Sequence, residues 1–261
     1  MKAYADTDFG QLHYVSMGEG PVLLLLHQTP RSHDEFRELQ PLLAQGRRVI
    51  AMDMLGFGMS APLPAPQRIE QFAAGAFALL DALGVSSADV LGHHTGAVVA
   101  LEMAASTPDR VRTLILSSTP WTGPEYRARH ATATPVDDVP QADDGSHLTE
   151  LWRLRQPYYP AGRPDLLDRF IRDALAVDPA EGHRACGRYV MEDRIGLVTA
   201  PALLLGSSAD PFGIRDLPVL RERLANAEQR IVEHGRVCVM EQSPREVAAL
   251  VSEWLGVRRV G

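Results

Sequence analysis

The sequence contains few cysteines and no long run of apolar residues. Two cysteines, Cys186 and Cys238, are too few for a disulfide framework, which favours a reducing compartment. Met1 to Gly10 contain no apolar segment of the kind found in signal peptides, and the longest aliphatic run, Val22 to Leu26, suits a buried strand. A membrane span needs about 20 apolar residues. We therefore expect a cytoplasmic protein that does not bind membranes.

Lysine is also nearly absent, since Lys2 is the only one, and arginine carries almost all of the positive charge. The formal net charge is −7, which argues against nucleic acid as a partner because duplex binding requires a basic face. Hydrophobic residues make up 45% of the 261 residues, a proportion typical of a globular chain. This length suits one α/β domain with an insertion; the sequence gives no indication of the oligomeric state.

Short apolar strands alternate with longer amphipathic helices in the first half of the chain. Strands predicted at 22–26, 48–53 and 111–117 are separated by helical patterns such as 69–83, which indicates a mostly parallel sheet. This alternation stops after Ser118 and resumes at Ala202. We therefore predict a core formed by residues 1–118 and 200–261, with residues 119–199 as a helical cap inserted over the sheet.

The most informative motif is Gly92-His93-His94-Thr95-Gly96, which follows a predicted strand and precedes a helix of small residues. It has the form G-x-Nuc-x-G of a nucleophile elbow, with histidine in place of serine. Glycines on both sides allow a sharp turn and close packing of the helix on the strand. We therefore expect the His94 side chain to be presented at the edge of the sheet, beside a helix N-terminus.

Together with the loop that begins at His27, the segment Asp53 to Ser60 and the motif Gly206 to Pro211, this elbow resembles the α/β-hydrolase superfamily over nearly the whole chain. The resemblance implies an α/β fold with a mostly parallel central sheet, helices on both faces and an inserted helical cap. It also implies that Asp210 is the acid of the site, and that the backbone N–H groups of Thr29 and Thr95 form an oxyanion hole.

The histidine that usually completes such a site is not found at the usual spacing before the last helix, and His234 fits only with a shift of two or three residues. Depending on the alignment, Arg236, Val237 or His234 occupies that place, and the three alternatives remain open. Imidazole is larger than a serine side chain, so His94 could reach the vacated space and form a dyad with Asp210. In that dyad Asp210 would fix the tautomer of His94, which would act as a general base or, less simply, as a nucleophile.

These features favour a cofactor-free hydrolase acting on a small carbonyl compound such as an ester or lactone. The same groups could instead serve a lyase, isomerase or cyclase, and a catalytically inactive ligand-binding protein is a third reading. We expect no metal, because adjacent histidines diverge and no cluster with ligand spacing accompanies them. His27 and His93 could equally be structural, and the cap aromatics could be packing residues. Candidates for binding the substrate are His27, Gln28, Arg31, His33, His93, Trp121, His147, Trp152, Tyr158 and His183.

Overall fold

The computed structural model describes residues 1–257 of the chain. Within this range eight strands form one sheet, and ten helices surround it. The strands are β1 (Lys2–Thr7), β2 (Gly10–Met17), β3 (Val22–Leu26), β4 (Arg48–Met52), β5 (Ala88–His93), β6 (Val111–Ser117), β7 (Ala202–Ser207) and β8 (Ala227–Val232). The helices are α1 (Gln40–Leu43), α2 (Ile69–Ala82), α3 (Thr95–Ser106), α4 (Pro124–His130), α5 (Ser146–Arg155), α6 (Pro164–Ala174), α7 (Glu181–Arg188), α8 (Leu217–Arg223), α9 (Val239–Gln242) and α10 (Pro244–Val257).

The strands lie in the order β1-β2-β4-β3-β5-β6-β7-β8. Strand β2 is antiparallel to both of its neighbours, and β3 to β8 are all parallel. The carboxyl ends of the parallel strands therefore share one edge, where ligands of open α/β sheets bind. This is the mostly parallel sheet expected from the sequence.

Alternate residues of the buried strands pack on opposite faces of the sheet. In β3, Leu24 and Leu26 join the cluster formed with α2 and α3, whereas Leu23 and Leu25 join the cluster formed with α10. Successive side chains of a strand point to opposite sides, so a continuous run of leucines identifies a strand covered on both faces. Helices on both sides hold the strand ends, and the loops that follow them, in fixed positions.

The segment between β6 and β7 contributes helices α4 to α7 and no strand to the sheet that the structure describes. We refer to residues 119–199 as the insert. Part of the insert has its own apolar cluster, in which Leu166 and Phe170 of α6 pack with Leu151 of α5. Helix α6 is also tied to the core, because Arg169 forms an ion pair with Asp34 at 2.7 Å.

One prediction about the core is wrong. The sequence pattern predicts a helix from Ser32 to Leu43, but the structure has a single 3-10 turn at His33–Phe36 and a separate short α1. Pro41 lies in the first turn of α1, and a proline inside a longer helix would remove a backbone hydrogen bond and clash with the preceding turn.

Helices of residues 1–257 are all too short or too polar to cross a bilayer.

Candidate active site

His94 occupies the turn between β5 and α3, at the ligand-binding edge of the sheet. Its backbone has a φ of 48° and a ψ of −113°, a conformation that L-residues rarely adopt. The flanking glycines make this turn possible. A Cβ at Gly92 would lie 2.1 Å from the carbonyl oxygen of Gly96, and a Cβ at Gly96 would lie 2.1 Å from that of Leu26. The sharp turn expected of an elbow is therefore present around histidine.

The side chain of His94 meets the carboxylate of Asp210, which follows strand β7. The distance from His94 Nε2 to Asp210 Oδ2 is 2.8 Å, although the angle falls short of hydrogen-bond geometry. Burial alone would raise the pKa of Asp210, but the neighbouring His94 and the hydrogen bond from the Phe212 N–H hold it well below its usual value. The structure thus brings the predicted pair together, with an ionised carboxylate against the imidazole.

Val237 lies beside this pair, where the sequence left three alternatives. Of the three residues, Val237 lines the cavity next to His94, whereas His234 is exposed and Arg236 donates to the carbonyl oxygen of Pro157. The carbonyl oxygen of Val237 lies 2.9 Å from His93 Nε2. An apolar side chain therefore borders the elbow on this side.

His93 is fully buried beneath the elbow and does not line the cavity. Its Nδ1 lies 3.1 Å from Ser117 Oγ, and its Nε2 contacts Val237. Burial lowers the pKa of His93 to about 3, so the ring is neutral at physiological pH. Both ring nitrogens are thus occupied by the protein, and His93 ties the elbow to the segment that precedes α9.

The cavity above His94 has a volume of about 180 Å³ and lies between the strand ends and the insert. Gln28, Thr29, His94, Thr95 and Val237 form its core wall. Thr95 is the first residue of helix α3. Its backbone N–H therefore has no acceptor within the helix. The core wall therefore presents the elbow histidine and a helix N-terminus to the same space.

The loop that carries Thr29 is fixed from below by Glu35. The carboxylate of Glu35 accepts hydrogen bonds from the Gln28 backbone N–H at 2.8 Å and from the Gln28 side chain at 2.7 Å. Burial raises the pKa of Glu35 to about 8. Helix α7 closes over the loop at Gly182, where a Cβ would lie 2.0 Å from Thr29 Oγ1.

The insert wall of the cavity contains several polar side chains that sequence reasoning missed. His183, which the sequence did suggest, lies there with Tyr126, His130 and Arg155. His130 stacks on Tyr126 with ring centroids 3.7 Å apart, and His183 Nε2 lies 2.9 Å from Asp137 Oδ2. Asp137, the partner of His183 and Arg155, is 46 and 18 residues away from them and belongs to no short motif. Arginine and histidine are frequent in this segment, but that composition alone does not say which side chains face inward.

Eight of the predicted substrate-binding residues lie outside the cavity, and each has another environment. His27 is buried, with Nδ1 2.8 Å from the Gln28 carbonyl oxygen and Nε2 accepting from the Met54 N–H. Arg31 is fully buried in ion pairs with Glu241 and Asp173. The remaining six are His33 at Asp53, His93 below the elbow, Trp121 under Arg223, His147 at the Ala142 N–H, Trp152 in a separate surface groove and Tyr158 against Phe212.

His13, His33 and Asp53 place one potential metal ligand each within 4.8 Å of the others. The carboxylate of Asp53 already accepts hydrogen bonds from the backbone N–H groups of His33 and Met59 and contacts Nδ1 of both histidines. Burial opposes its ionisation, but these contacts hold the pKa of Asp53 far below its usual value. The three side chains thus satisfy one another as a hydrogen-bonded hub, away from the cavity.

Comparisons with known proteins agree with this architecture. A family model of the alpha/beta hydrolase fold matches residues 21–177. Bifunctional epoxide hydrolase 2 of Mus musculus is 39% identical over 121 residues, but the match covers 44% of this chain and 21% of that enzyme. The chain thus spans about a fifth of that relative's length.

Two further matches cover more of the chain. The 2-hydroxy-6-oxononadienedioate/2-hydroxy-6-oxononatrienedioate hydrolase 1 of Dechloromonas aromatica is 29% identical over 225 residues, which is 77% of this chain and 75% of that enzyme. The crystal structure of the enol-lactonase from Burkholderia xenovorans LB400 superimposes with a TM-score of 0.81 over 97% of this chain and 100% of that one, at 18% identity. At that identity the structural match supports the fold alone.

Proposed function

The chain belongs to the alpha/beta hydrolase fold family, and we propose that it is an enzyme that hydrolyses a small carbonyl compound, such as an ester or a lactone. The proposal assigns His94 as the general base and Asp210 as its partner. The observation that carries it is the 2.8 Å separation of His94 Nε2 and Asp210 Oδ2 at the elbow. The similarity to hydrolases of small organic compounds supports the reaction class.

The contact with Asp210 decides which nitrogen of His94 does the chemistry. The negative charge of the buried carboxylate, 2.8 Å from Nε2, favours the tautomer of His94 that carries its proton on Nε2. The lone pair of Nδ1 is then available to a water molecule in the cavity that His94 lines. Nδ1 accepts a proton from water while the water oxygen bonds to the substrate carbonyl carbon. Asp210 then stabilises the imidazolium that forms, as the acid of a serine triad does for its histidine.

The negative charge that develops on the carbonyl oxygen needs donors on the core wall. The backbone N–H groups of Thr29 and Thr95 are the proposed donors, because both residues line the cavity and Thr95 begins helix α3. Removing one such donor from an oxyanion hole typically lowers kcat by about 10²–10³. This arrangement needs no covalent intermediate on the protein, which fits an elbow whose central residue, His94, carries no hydroxyl or thiol.

Substrates with a carboxylate group fit the positive side chains around the cavity. Arg31, a substrate-binding candidate from the sequence, is instead engaged in buried ion pairs with Asp173 and Glu241. Arg215 lines the cavity and is half exposed, and its nearest carboxylate, on Asp216, is 3.9 Å away. The relative from Dechloromonas aromatica is named for dioate substrates, which is consistent with this class.

Replacing His94 tests the proposal directly. We expect His94→Ala and Asp210→Asn to lower kcat/KM on a panel of esters and lactones by about 10²–10⁴, the usual contribution of a general base. His234→Ala is the matched control, because His234 is exposed and remote from the cavity, and it should retain wild-type activity. Full activity in His94→Ala, or no turnover of any panel compound by the wild type, would overturn the assignment.

The origin of the oxygen in the product separates hydrolysis from other chemistry at the same base. In water labelled with heavy oxygen, hydrolysis places one labelled atom in the acid product. Turnover without incorporation would instead indicate a lyase, isomerase or cyclase reaction that uses the same His94. Loss of activity in His94→Ala combined with incorporation would support every part of the proposal.

A further inference from the structure

We propose that His183 is a second acid–base residue of this site, which protonates the leaving group while His94 activates water. The inference rests on the proposed function, because it assigns the second proton transfer of the same hydrolysis. Its basis is a second histidine–aspartate pair on the opposite side of the cavity. His183 lines the cavity from α7, and its Nε2 lies 2.9 Å from Oδ2 of Asp137.

Asp137 is held so firmly that it fixes the ring of His183. It is fully buried, and both of its oxygens accept hydrogen bonds from the guanidinium of Arg155. Burial opposes ionisation, but Arg155 and His183 lower the pKa of Asp137, so the carboxylate stays charged. Arg155 is itself positioned by the ring of Phe170, whose centroid lies 4.6 Å from its guanidinium carbon.

This arrangement selects the nitrogen that faces a substrate. The carboxylate of Asp137 accepts a hydrogen bond from the Nε2–H of His183. Nδ1 is therefore the nitrogen of His183 that is available to a substrate in the cavity, as it is at His94. Arg155 Nη2 lies 3.5 Å from the same Nε2, but a guanidinium has no acceptor, so of these two neighbours Asp137 alone can accept a hydrogen bond from Nε2–H. The second histidine on this wall is His130, whose pKa is lowered by burial. The cavity therefore has an imidazole with a carboxylate partner on each wall.

Two imidazoles solve a problem that the missing triad histidine creates. In a serine hydrolase one histidine accepts a proton and later delivers it to the leaving group. Here His94 is assigned to the attacking water, and the departing oxygen of an ester is a different atom on the same carbon, which needs a proton of its own. A group on the insert wall is placed to meet that oxygen.

The proposed step is balanced with water and the ester as the only reactants. Water loses a proton to His94 Nδ1 as its oxygen bonds to the carbonyl carbon. The bond from that carbon to the alcohol oxygen then breaks, its electron pair stays on oxygen, and protonated His183 delivers a proton from Nδ1. The products are the carboxylic acid and the alcohol, and a proton passed from His94 to His183 through solvent restores the site.

Leaving groups of different basicity provide the test. His183→Gln keeps an N–H near Asp137 but cannot donate a titratable proton. We expect it to lower kcat/KM on an alkyl ester by about 10²–10⁴, the range of general acid catalysis, and to change hydrolysis of the matching p-nitrophenyl ester far less. Asp137→Asn should show the same selectivity more weakly. Equal losses on both esters would overturn the proposal, because a residue that only binds substrate or supports the fold does not sense the leaving group.

The outcome is distinguishable from failure of the proposed function. His94→Ala should impair both esters together, since water attack precedes departure of either leaving group. If His94→Ala retained activity, the role of His94 would be wrong, while the selectivity of His183→Gln against wild type would still decide the role of His183.

The tautomer of His183 can also be measured without activity. In protein labelled with isotopic nitrogen at its nine histidines, the His183 signals are those that disappear in His183→Gln. We expect neutral His183 to carry its proton on Nε2, and Asp137→Asn to remove that preference. A proton on Nδ1 in the wild type would contradict the proposal, even if the variants folded poorly.

Discussion

The two walls of the cavity are built in different ways. The core wall follows directly from backbone geometry. His94 is held by a tight turn between β5 and α3, and the glycines around it pack so closely on neighbouring backbone that a Cβ would not fit. The insert wall depends on side chains that meet across long stretches of sequence, such as Asp137 and His183, which are 46 residues apart. A motif can encode the first kind of wall, whereas the second exists only once the chain has folded.

The junction between the two walls is polar and buried, and breaking it should have the largest effect. Arg31 is fully buried, donates to Glu241 of the core at 2.7 Å and contacts Asp173 of the insert at 3.0 Å. Arg31→Met removes the guanidinium from both carboxylates, which leaves Glu241 with Arg169 at 3.3 Å and Asp173 with the hydroxyl of Ser32 at 3.0 Å. We expect a loss of about 3–5 kcal/mol in the free energy of unfolding, measured by urea denaturation, because breaking a buried ion pair by removing one partner is costly.

A second change sharpens this prediction. Adding Glu241→Gln to Arg31→Met removes the charge of one of the two carboxylates that have lost Arg31. The double variant should therefore recover part of the lost stability. Glu241 is 2% exposed, and solvent cannot compensate its charge in the single variant. Strictly additive losses would mean that the two side chains do not stabilise each other.

The difference between the walls also explains what the sequence could predict. Strand β3 was predicted residue for residue, because a run of four leucines after Val22 suits only a strand covered on both faces. The elbow was recognised because its glycines and the following helix are contiguous. The sequence predicted that His94 and Asp210 lie close together because the motif following β7 has a fixed place at the edge of a parallel sheet, and the two side chains are 2.8 Å apart.

The same reasoning failed where contacts are not local. Arg31 and His33 follow the loop that bears Thr29 and were expected near the substrate, yet their side chains turn to Asp173 and Asp53. Asp137 lies in a segment with no regular structure, and nothing in its neighbours indicates that it would be buried under Arg155. Charge pairing between distant residues leaves no periodic signal, so the insert wall had to be read from the structure.

The stability of the core wall should depend on pH through the ionisation of Glu35. At any single pH we expect a smaller effect on the free energy of unfolding than that of Arg31→Met. Burial raises the pKa of Glu35 from 4.5 to about 8, so the folded state keeps a proton that the unfolded state releases. This contribution to stability is complete below pH 4.5 and is lost as the pH rises towards 8. The expected slope is at most about 1.4 kcal/mol per pH unit.

Glu35→Gln isolates this contribution. The variant loses an acceptor for one of the two Gln28 hydrogen bonds, so it should be less stable than wild type at low pH. Because it cannot titrate, the difference in free energy of unfolding between the two proteins should shrink as the pH rises through the window. A difference that stays constant with pH would mean that Glu35 is ionised in the folded protein.

The smallest effect on stability is expected for Arg153 of the insert, which the sequence does not distinguish from the buried Arg155. Arg153 and Arg155 lie on α5, but the side chain of Arg153 is 67% exposed in its pair with Glu150, whereas that of Arg155 is 4% exposed in its pair with Asp137. Solvent screens an exposed pair and holding it in place costs side-chain entropy, so Arg153→Ala should leave the thermal midpoint unchanged within error. Arg155→Met should lower that midpoint clearly, because it strands Asp137 in the interior. Similar shifts for both variants would show that exposed ion pairs stabilise the insert wall as much as the buried pair does. The contrast with the locally encoded core wall would then depend on charge density and not on buried ion pairs.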